Sequence, residues 1–543
     1  MLNINNNTAN MKREILVRIA KLQLEGKLEE GVHFIPREMV PRDAKPIRCC
    51  VFHDREIVRM RTIARMGISV ENIDEERTLA SFAKEALERP KPTWPMLTVL
   101  HEACNACVKA HYMVTNACQG CDARPCMVNC PKNCIHVEHH AHIDESACIN
   151  CGKCMENCPY HAIIKIPVPC EEACPVGAIS KDESGREKID YHKCIFCGNC
   201  MRECPFGAMM GKSQLVDVIK HLMKKSDANS ENGNSESANA ENTNSKSTNF
   251  VAENFENANS QEKNSANENS ISTNPPKKIV ALYAPAIAAQ FKAAPGQLEA
   301  ALKVAGFDRV WEVAIGADIC ADNEAREFEE RMARGDKMMT SSCCPAYVRA
   351  VRRHVPALAE CISETKTPMH YTAELAKKAD PGCITVFIGP CLAKRREGFD
   401  DEMVDYVLST LDLESLFIAK EIDVSKMQPE ETSIIPTASG RNFAKSGGVA
   451  EAVEVRLKDK SILRAAKING LTKSGMKMLN AYGMINSGKI PSKPDTPNLI
   501  EVMACEGGCI GGPSIIKNVK EAEVQLQKYV EAGAANTTNG GTK

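Results

Sequence analysis

"CINCGKCMENCP", residues 148–159, and "CIFCGNCMRECP", residues 194–205, share one spacing, C-x2-C-x2-C-x3-C-P. Three thiolates two residues apart let one loop wrap an iron-sulfur cubane with its backbone amides turned toward the sulfurs. The fourth cysteine reaches a different cluster, and its proline ends the turn. "CQGCDARPCMVNCP", residues 118–131, repeats the design with a longer middle gap. A zinc reading requires four-cysteine sites that close locally, and it accounts for neither the triple repeat nor the C-P endings.

Exchange of the fourth cysteine between paired motifs, the ferredoxin arrangement, assigns Cys118, Cys121, Cys126 and Cys158 to one cluster and Cys148, Cys151, Cys154 and Cys130 to a second. "PCEEACPVGAI" adds only Cys170 and Cys174, while "HEACNACVKAH" adds Cys104 and Cys107 upstream. Joined, they form one motif interrupted by an inserted two-cluster ferredoxin. This predicts clusters at Cys194, Cys197, Cys200, Cys174 and at Cys104, Cys107, Cys170, Cys204, four 4Fe-4S clusters in all. Cys134 stands where such repeats usually carry alanine and reads as packed beside a cluster. The histidines of "VEHHAHID" read as a solvated hairpin, and Cys49, Cys50, Cys320, Cys361 and Cys383 as structural or without assigned role.

The chain has 543 residues, 43% apolar content, a formal net charge of −2 and 27 cysteines. Such a length supports several domains. No segregated Lys/Arg patch points to nucleic acid, and the longest apolar run, 279–289, is too short to cross a bilayer. "MLNINNNTANMKREILVRIAKLQLEG" lacks the apolar stretch of a secretory signal and reads as a polar tail entering an amphipathic helix. The expected setting is cytoplasmic, where reduced cysteines more often bind metal than form disulfides.

Five segments are expected: a mixed, partly helical region at 1–100, ferredoxin-like domains with the four clusters at 101–215, a disordered Asn/Ser-rich linker at 226–276, a catalytic domain at 277–530 and a disordered tail at 531–543. The linker composition buries too little apolar surface to offset ordering entropy. Beyond it, strand-like runs (279–284, 384–388, 499–504) alternate with helix-like ones (297–304, 322–334, 369–378, 447–458). The fold class expected is α+β ferredoxin-like cluster domains followed by an α/β domain with mainly parallel sheets flanked by helices.

The second domain has no G-x-G-x-x-G fingerprint after a strand, no Walker loop and no H-E-x-x-H. It carries cysteines in three separated places: "TSSCCPAY" (Cys343, Cys344), "GPCLAKRRE" (Cys391) and "EVMACEGGCIGGP" (Cys505, Cys509). Cys343 and Cys344 are adjacent, so their side chains point apart and serve different ends. Cys505 and Cys509, four apart, are expected on one face of a helix turn. Lys394 directs a cation, and the glycines around Cys509 permit close backbone approach, toward an anionic object.

At these residues the chain resembles the FeFe-hydrogenases, whose signatures T-S-C-C-P, P-C-x-x-K-x-x-E and E-x-M-A-C-x-x-G-C correspond to "SSCCP", "PCLAKRRE" and "EVMACEGGC". The resemblance covers roughly residues 100–220 and 277–520. It implies that Cys344, Cys391, Cys505 and Cys509 hold the cubane of an H-cluster, with Cys509 bridging to a two-iron unit carrying CO, cyanide and azadithiolate. By the same resemblance Lys394 hydrogen-bonds a cyanide, and Ala284, Pro285 and Met503 border the two-iron unit. The family's proton relay maps onto Cys343, Glu324, Ser363 and Glu327, although "NEAREFEERMARG" by itself reads as a solvated charged helix. Gly389 stands where the family has methionine, Met369 for a glutamine, Ala286 for a serine and Tyr347 for a tryptophan, and "CIGGPSI" breaks a three-glycine run. These departures resemble the group B branch and leave rate, direction and oxygen tolerance open.

The activity this implies is that of a monomeric ferredoxin hydrogenase: reversible reduction of protons to H2, with ferredoxin or flavodoxin as electron partner and maturation enzymes supplying the cofactor. An H2-sensing relative usually loses the cysteine at position 343 and gains a PAS-like domain, which does not follow residue 520 here. A Nar-type iron-sulfur assembly protein shares the fold but has no need of Lys394 or the Cys343, Glu324, Ser363, Glu327 set. The spacing argument predicts that replacing Cys104 and Cys107 together with serine lowers iron content by about four atoms per chain, one cubane. Elemental analysis showing unchanged iron would refute that pairing.

Overall fold

The computed structural model describes residues 6–232, 277–430 and 434–539. Its second half contains two parallel sheets. In the larger, β9 (Ile279–Tyr283) lies between β10 (Arg309–Glu312) and β12 (Ile384–Ile388), and β12 also pairs with β13 (Tyr406–Leu408). In the smaller, β15 (Leu499–Met503) is flanked by β11 (Met339–Thr340) and β14 (Ala465–Asn469). "IVALY" and "LIEVM" are buried along their whole length, as strands covered by helices on both faces must be. One of the covering helices, Ala314–Arg334, begins eight residues before the predicted 322, because "AIGADICA" supplies an apolar face the charge count obscured.

The strands end where function is expected. β9 runs into Ala284-Pro285, β11 into Ser341–Cys344, β12 into Gly389-Pro390-Cys391, and β15 into Ala504-Cys505. All four are carboxyl ends of parallel strands, the edge at which such sheets leave an open crevice.

The cysteine-rich half is built from two-stranded antiparallel ribbons: β1 (Leu97–Val99) with β8 (Met209–Gly211), β2 (His111–Val114) with β5 (Ile163–Ile166), β3 (Ile135–Val137) with β4 (Ala141–Ile143), and β6 (Ile179–Lys181) with β7 (Glu187–Ile189). The β3–β4 hairpin carries His136, His139, His140 and His142 exposed, as the sequence indicated. Residues 112–163 enclose their own small core, including Tyr112, Ile135 and Ile163.

Residues 6–100 do not form a separate lobe. Ile15 and Ile19 of helix Asn7–Leu24 pack with Ile57 and Ile63 of helix Val51–Arg65 and with Met210 of β8. On its other side, Leu16 and Ala20 join the core containing Leu413 and Leu416 of the second half. The N-terminal region thus ties the two halves together.

Two boundaries differ from expectation. Helix Leu215–Asn232 continues through the first seven residues assigned to the linker, and 233–276 lies outside the described residues. Its first two turns bury Leu215, Val218, Ile219 and Leu222, and a nucleated helix propagates at little cost. Helix Val519–Asn539 likewise runs through most of the tail predicted at 531–543, anchored by buried Leu526, Tyr529 and Val530, and residues 540–543 lie outside the described set.

Asp217, fully buried, accepts two hydrogen bonds from Arg89 at 2.9 and 2.6 Å. Removing one partner strands a buried charge, so Asp217→Ala is expected to lower the unfolding free energy by about 3–5 kcal/mol. Denaturant unfolding of the two proteins checks this, and a loss under about 1 kcal/mol would contradict it.

Candidate metal centre and its electron and proton connections

The four strand ends converge on one cavity of about 90 Å³. Every residue predicted for the second-domain cofactor lines it: Cys344, Cys391, Cys505, Cys509, Lys394, Ala284, Pro285 and Met503, together with Cys343. The lining is otherwise almost wholly apolar, with Val313, Phe387 and Phe443 among its walls.

Cys344 and Cys391 are the N-caps of helices Pro345–His354 and Leu392–Asp400. Their sulfurs therefore face unsatisfied amides and the positive end of a helix dipole, which favours anions. Burial pushes the Cys344 thiol up against the opposing pull of the Tyr347 and Ala346 amides, and pushes Cys391 up to about 11 against those of Lys394 and Ala393. Cys509 is driven by burial to about 12, and Cys505 well above its ordinary value. An empty pit would keep such thiols protonated; bound iron holds them as thiolates.

Cys505 and Cys509 do not share a helix face. Gly507 and Gly508 lie at φ +84° and +85°, and a short 3-10 turn, Cys509–Gly511, begins only afterwards. At Gly508 a side chain would meet the backbone of Lys445 at 2.7 Å, so only glycine lets this loop close over the cavity.

A side chain at Gly389 has no room. The ring of Phe387 sits 2.6 Å from where a side chain at 389 would begin, and Phe387 lines the cavity. Met369 and Ala286, the other two departures around the site, line it as well.

Lys394 is buried, and its ammonium lies 2.7 Å from Glu397. Burial works against the charge, but Glu397 and the nearby Cys391 and Cys343 hold the pKa above the ordinary lysine value. Thr367 donates to the same carboxylate. Glu397 also lines a solvent-open cleft of about 670 Å³ on the other side, so the Lys394–Glu397 pair separates cavity from solvent.

The predicted proton carriers lie between the same two spaces. Glu324 is completely buried, contrary to the solvated-helix reading. The amide of Ser342 donates to its Oε1 at 3.2 Å, while Oε2 has no partner among the described residues. Burial lifts this carboxyl to about 7, opposed by the Ser342 amide and reinforced by the charge of Glu327. Ser363 donates to Glu327 at 2.6 Å, and Arg331 holds Glu327 at 2.7 Å. Glu324 and Ser363 make no direct bond; two residues missed in the sequence fill the interval. Ser342 donates to the backbone carbonyl of Thr365 at 2.6 Å, and the separate side-chain hydroxyl of Thr365 donates to Glu327 at 3.1 Å. Ser342, Ser363 and Thr365 all line the open cleft. Adjacency of Ser342 to Cys343 was the one sequence signal available for it.

In the first half, eight of the predicted cluster cysteines line two small cavities. Cys118, Cys121, Cys126 and Cys158 line one small cavity, and Cys130, Cys148, Cys151 and Cys154 another. Cys134 borders the second, its sulfur 3.4 Å from that of Cys130. Cys170 lies within electrostatic reach of Cys204 and Cys107, and Cys200 of Cys197, Cys194, Cys174 and Cys170. Cys197 also lines the second-domain cavity. Its loop is fastened there: Arg349 donates to the carbonyl of Cys194 at 2.8 Å and Arg202 to that of Gly511 at 2.7 Å.

A chain with two cysteine-lined cavities in its ribbon domains, and with Cys197 of those domains bordering a cysteine-lined cavity at the strand ends of a parallel α/β domain, has the make-up of an iron-sulfur protein. Residues 277–513 match the family described as iron only hydrogenase large subunit, C-terminal domain, while 169–208 match a 4Fe-4S dicluster domain and 140–163 a 4Fe-4S binding domain. Iron hydrogenase 1 of Clostridium pasteurianum is 27% identical over 279 residues, 44% of this chain and 48% of that protein. Cytosolic Fe-S cluster assembly factor NAR1 of Kluyveromyces lactis is 23% identical over 288 residues, 41% of this chain and 61% of its own. A solved structure of [FeFe]-hydrogenase HydA1 from Chlamydomonas reinhardtii aligns at 20% identity with a TM-score of 0.39, covering 47% of this chain and 86% of that one. The match thus spans about half the length of the clostridial relative. The protein is an FeFe-hydrogenase-like protein, with an iron-only hydrogenase large-subunit domain preceded by ferredoxin-like 4Fe-4S domains. No helix among the described residues is long and apolar enough to cross a membrane.

Folded Glu324 titrates near 7, against an ordinary value of 4.5, so between these pH values the native chain holds a proton the unfolded chain has released. Its contribution to stability is complete below about 4.5 and is lost as pH rises to about 7. The difference in unfolding free energy between wild type and Glu324→Gln is expected to follow that course; a difference independent of pH from 4 to 8, on the order of this window, would contradict it.

Proposed function

We propose that the protein catalyses the reversible reduction of protons to H2, receiving electrons from a ferredoxin or flavodoxin through its 4Fe-4S clusters. The observation that carries this reading is the meeting, at one cavity, of four thiols suited to a cluster and a fifth, Cys343, backed by the buried carboxyl Glu324. Cys344, Cys391, Cys505 and Cys509 would hold the cubane part of an H-cluster, and Ala284, Pro285, Lys394 and Met503 would border its two-iron part. When bound, the two-iron unit supplies the site at which protons and electrons combine.

The protein's own residues then have separable tasks. The apolar walls exclude water, which makes a bare charge costly to move and requires a chain of proton-carrying groups. Cys343, driven well above its ordinary pKa by burial and then by Glu324, keeps its proton at Sγ until a base accepts it. Glu324, at about 7, is balanced between holding and releasing a proton at neutral pH. Ser342 bonds Glu324 at 3.4 Å and lines the open cleft, while Ser363 and Thr365 donate to Glu327 beside the same cleft. Lys394 stays charged through Glu397 and presents a cation to an anionic ligand of the centre.

The similarity to assembly factors such as NAR1 supports a second reading, a protein with cubanes alone. It leaves the buried Glu324, the Ser363–Glu327 bond and the Lys394–Glu397 pair without a task. The readings part on activity. Anaerobically matured protein should evolve H2 from a low-potential donor, and Cys343→Ala should lose at least about 100-fold with iron content unchanged. Gas evolution by the variant at the wild-type rate would remove Cys343 from the path, and none from either protein would favour the assembly reading.

A further inference from the structure

Away from these sites, Lys12, Arg13, Arg65, Arg202 and Arg395 converge on one cavity of about 130 Å³, and no carboxylate is among its lining residues. Lys12, Arg65 and Arg395 are each more than nine-tenths buried. Glu414 pairs with Arg13 at 2.7 Å and Asp412 with Arg395 at 2.5 Å. Lys12 and Arg65 form no ion pair among the described residues; Lys12 reaches only the carbonyl of Met209 at 3.5 Å, and Arg65 that of Gly211 at 3.3 Å, with its Nε unbonded.

Asp412 serves both Arg395 and Arg65, so the buried cations outnumber the carboxylate that faces them, and such an excess persists only with a further counter-charge. The cavity also takes in the first turn of helix Asn7–Leu24, whose dipole adds positive potential. Its volume is several times that of one water, about 30 Å³, and suits a tetrahedral oxoanion. The wall includes Cys204 but otherwise brings together the N-terminal helix, the ferredoxin-like arm at Met201 and Arg202, and the second domain at Arg395 and Pro513. Arginine forks and a lysine point charge are the groups that recognise phosphate.

We propose that this cavity is a binding site for a multiply charged oxoanion of the phosphate class, either free or as the terminal group of a nucleotide, which fastens the N-terminal region onto both halves of the protein. The inference does not depend on the hydrogenase reading. The rival account is that a cluster ligated through Cys204 alone neutralises these cations.

The test is calorimetric titration of inorganic phosphate and of ADP into the full-length, cluster-loaded protein in dilute chloride buffer. One site per chain is expected for at least one of them, weakened tenfold or more both in Lys12→Gln and in Arg13→Gln, with iron content as in wild type. Tighter uptake of ADP than of phosphate would identify a nucleotide as the source, and equal uptake the free ion; either supports the site. No uptake of either at millimolar concentration, or the same affinity in both variants, overturns it. So does a lowered cluster potential in Lys12→Gln, read by electron paramagnetic resonance, when wild type takes up no anion.

Discussion

Sulfur held in a dry pit must be ionised by something, and that requirement organises the second half of the protein. Four thiols driven upward by burial face one cavity, and two of them cap helices whose amides favour the anion. Parallel strands make the arrangement possible, because each ends at the same edge and hands the chain to a loop and then to a helix. The cavity therefore offers ligands from four strand ends with little freedom in any of them. Replacing Gly508 would force the loop carrying Cys509 off the backbone of Lys445, which shows how closely these ends are packed.

The same dryness dictates the rest of the site. The Cys194–Cys200 loop is bonded to helix Pro345–His354 and Cys197 borders the cavity, which is where the proposed reaction would need a conductor for electrons. Between cavity and cleft lie a thiol, a buried carboxyl and hydroxyls fixed by short hydrogen bonds, the groups the proposed reaction would use to carry protons. The Lys394–Glu397 pair closes another stretch of the wall while keeping a positive charge against the pit. The N-terminal helices complete the assembly by packing on the ferredoxin-like arm and the second domain at once.

What sequence made visible was local. Cysteine spacing encodes which thiols share a loop, and the grouping around the small cavities follows the predicted exchange of fourth cysteines. Strands such as Ile384–Ile388 were legible because a fully buried parallel strand is a short apolar run between turn signals. The burial of Glu324 was not legible: its helix is charged in composition, and only the sheet it packs against decides which face is dry. Ser342 and Thr365 carry no motif of their own, and their hydrogen bonds to Glu324 and Glu327 join residues up to 38 positions apart. The turn between Cys505 and Cys509 was misread because spacing alone treats two glycines at positive φ as ordinary helix formers. The clasp formed by residues 6–100 rests wholly on long-range packing, which no periodicity reports.

The central claim is that one pit holds an organometallic iron centre beyond a simple cubane, with neighbouring thiols divided between anchoring it and carrying protons. Infrared spectroscopy of protein produced with its maturation enzymes tests that claim most directly. The account predicts absorption from iron-bound CO and cyanide, present in Cys343→Ala and abolished in Cys509→Ala. A spectrum without such bands from fully matured, iron-replete protein would contradict it.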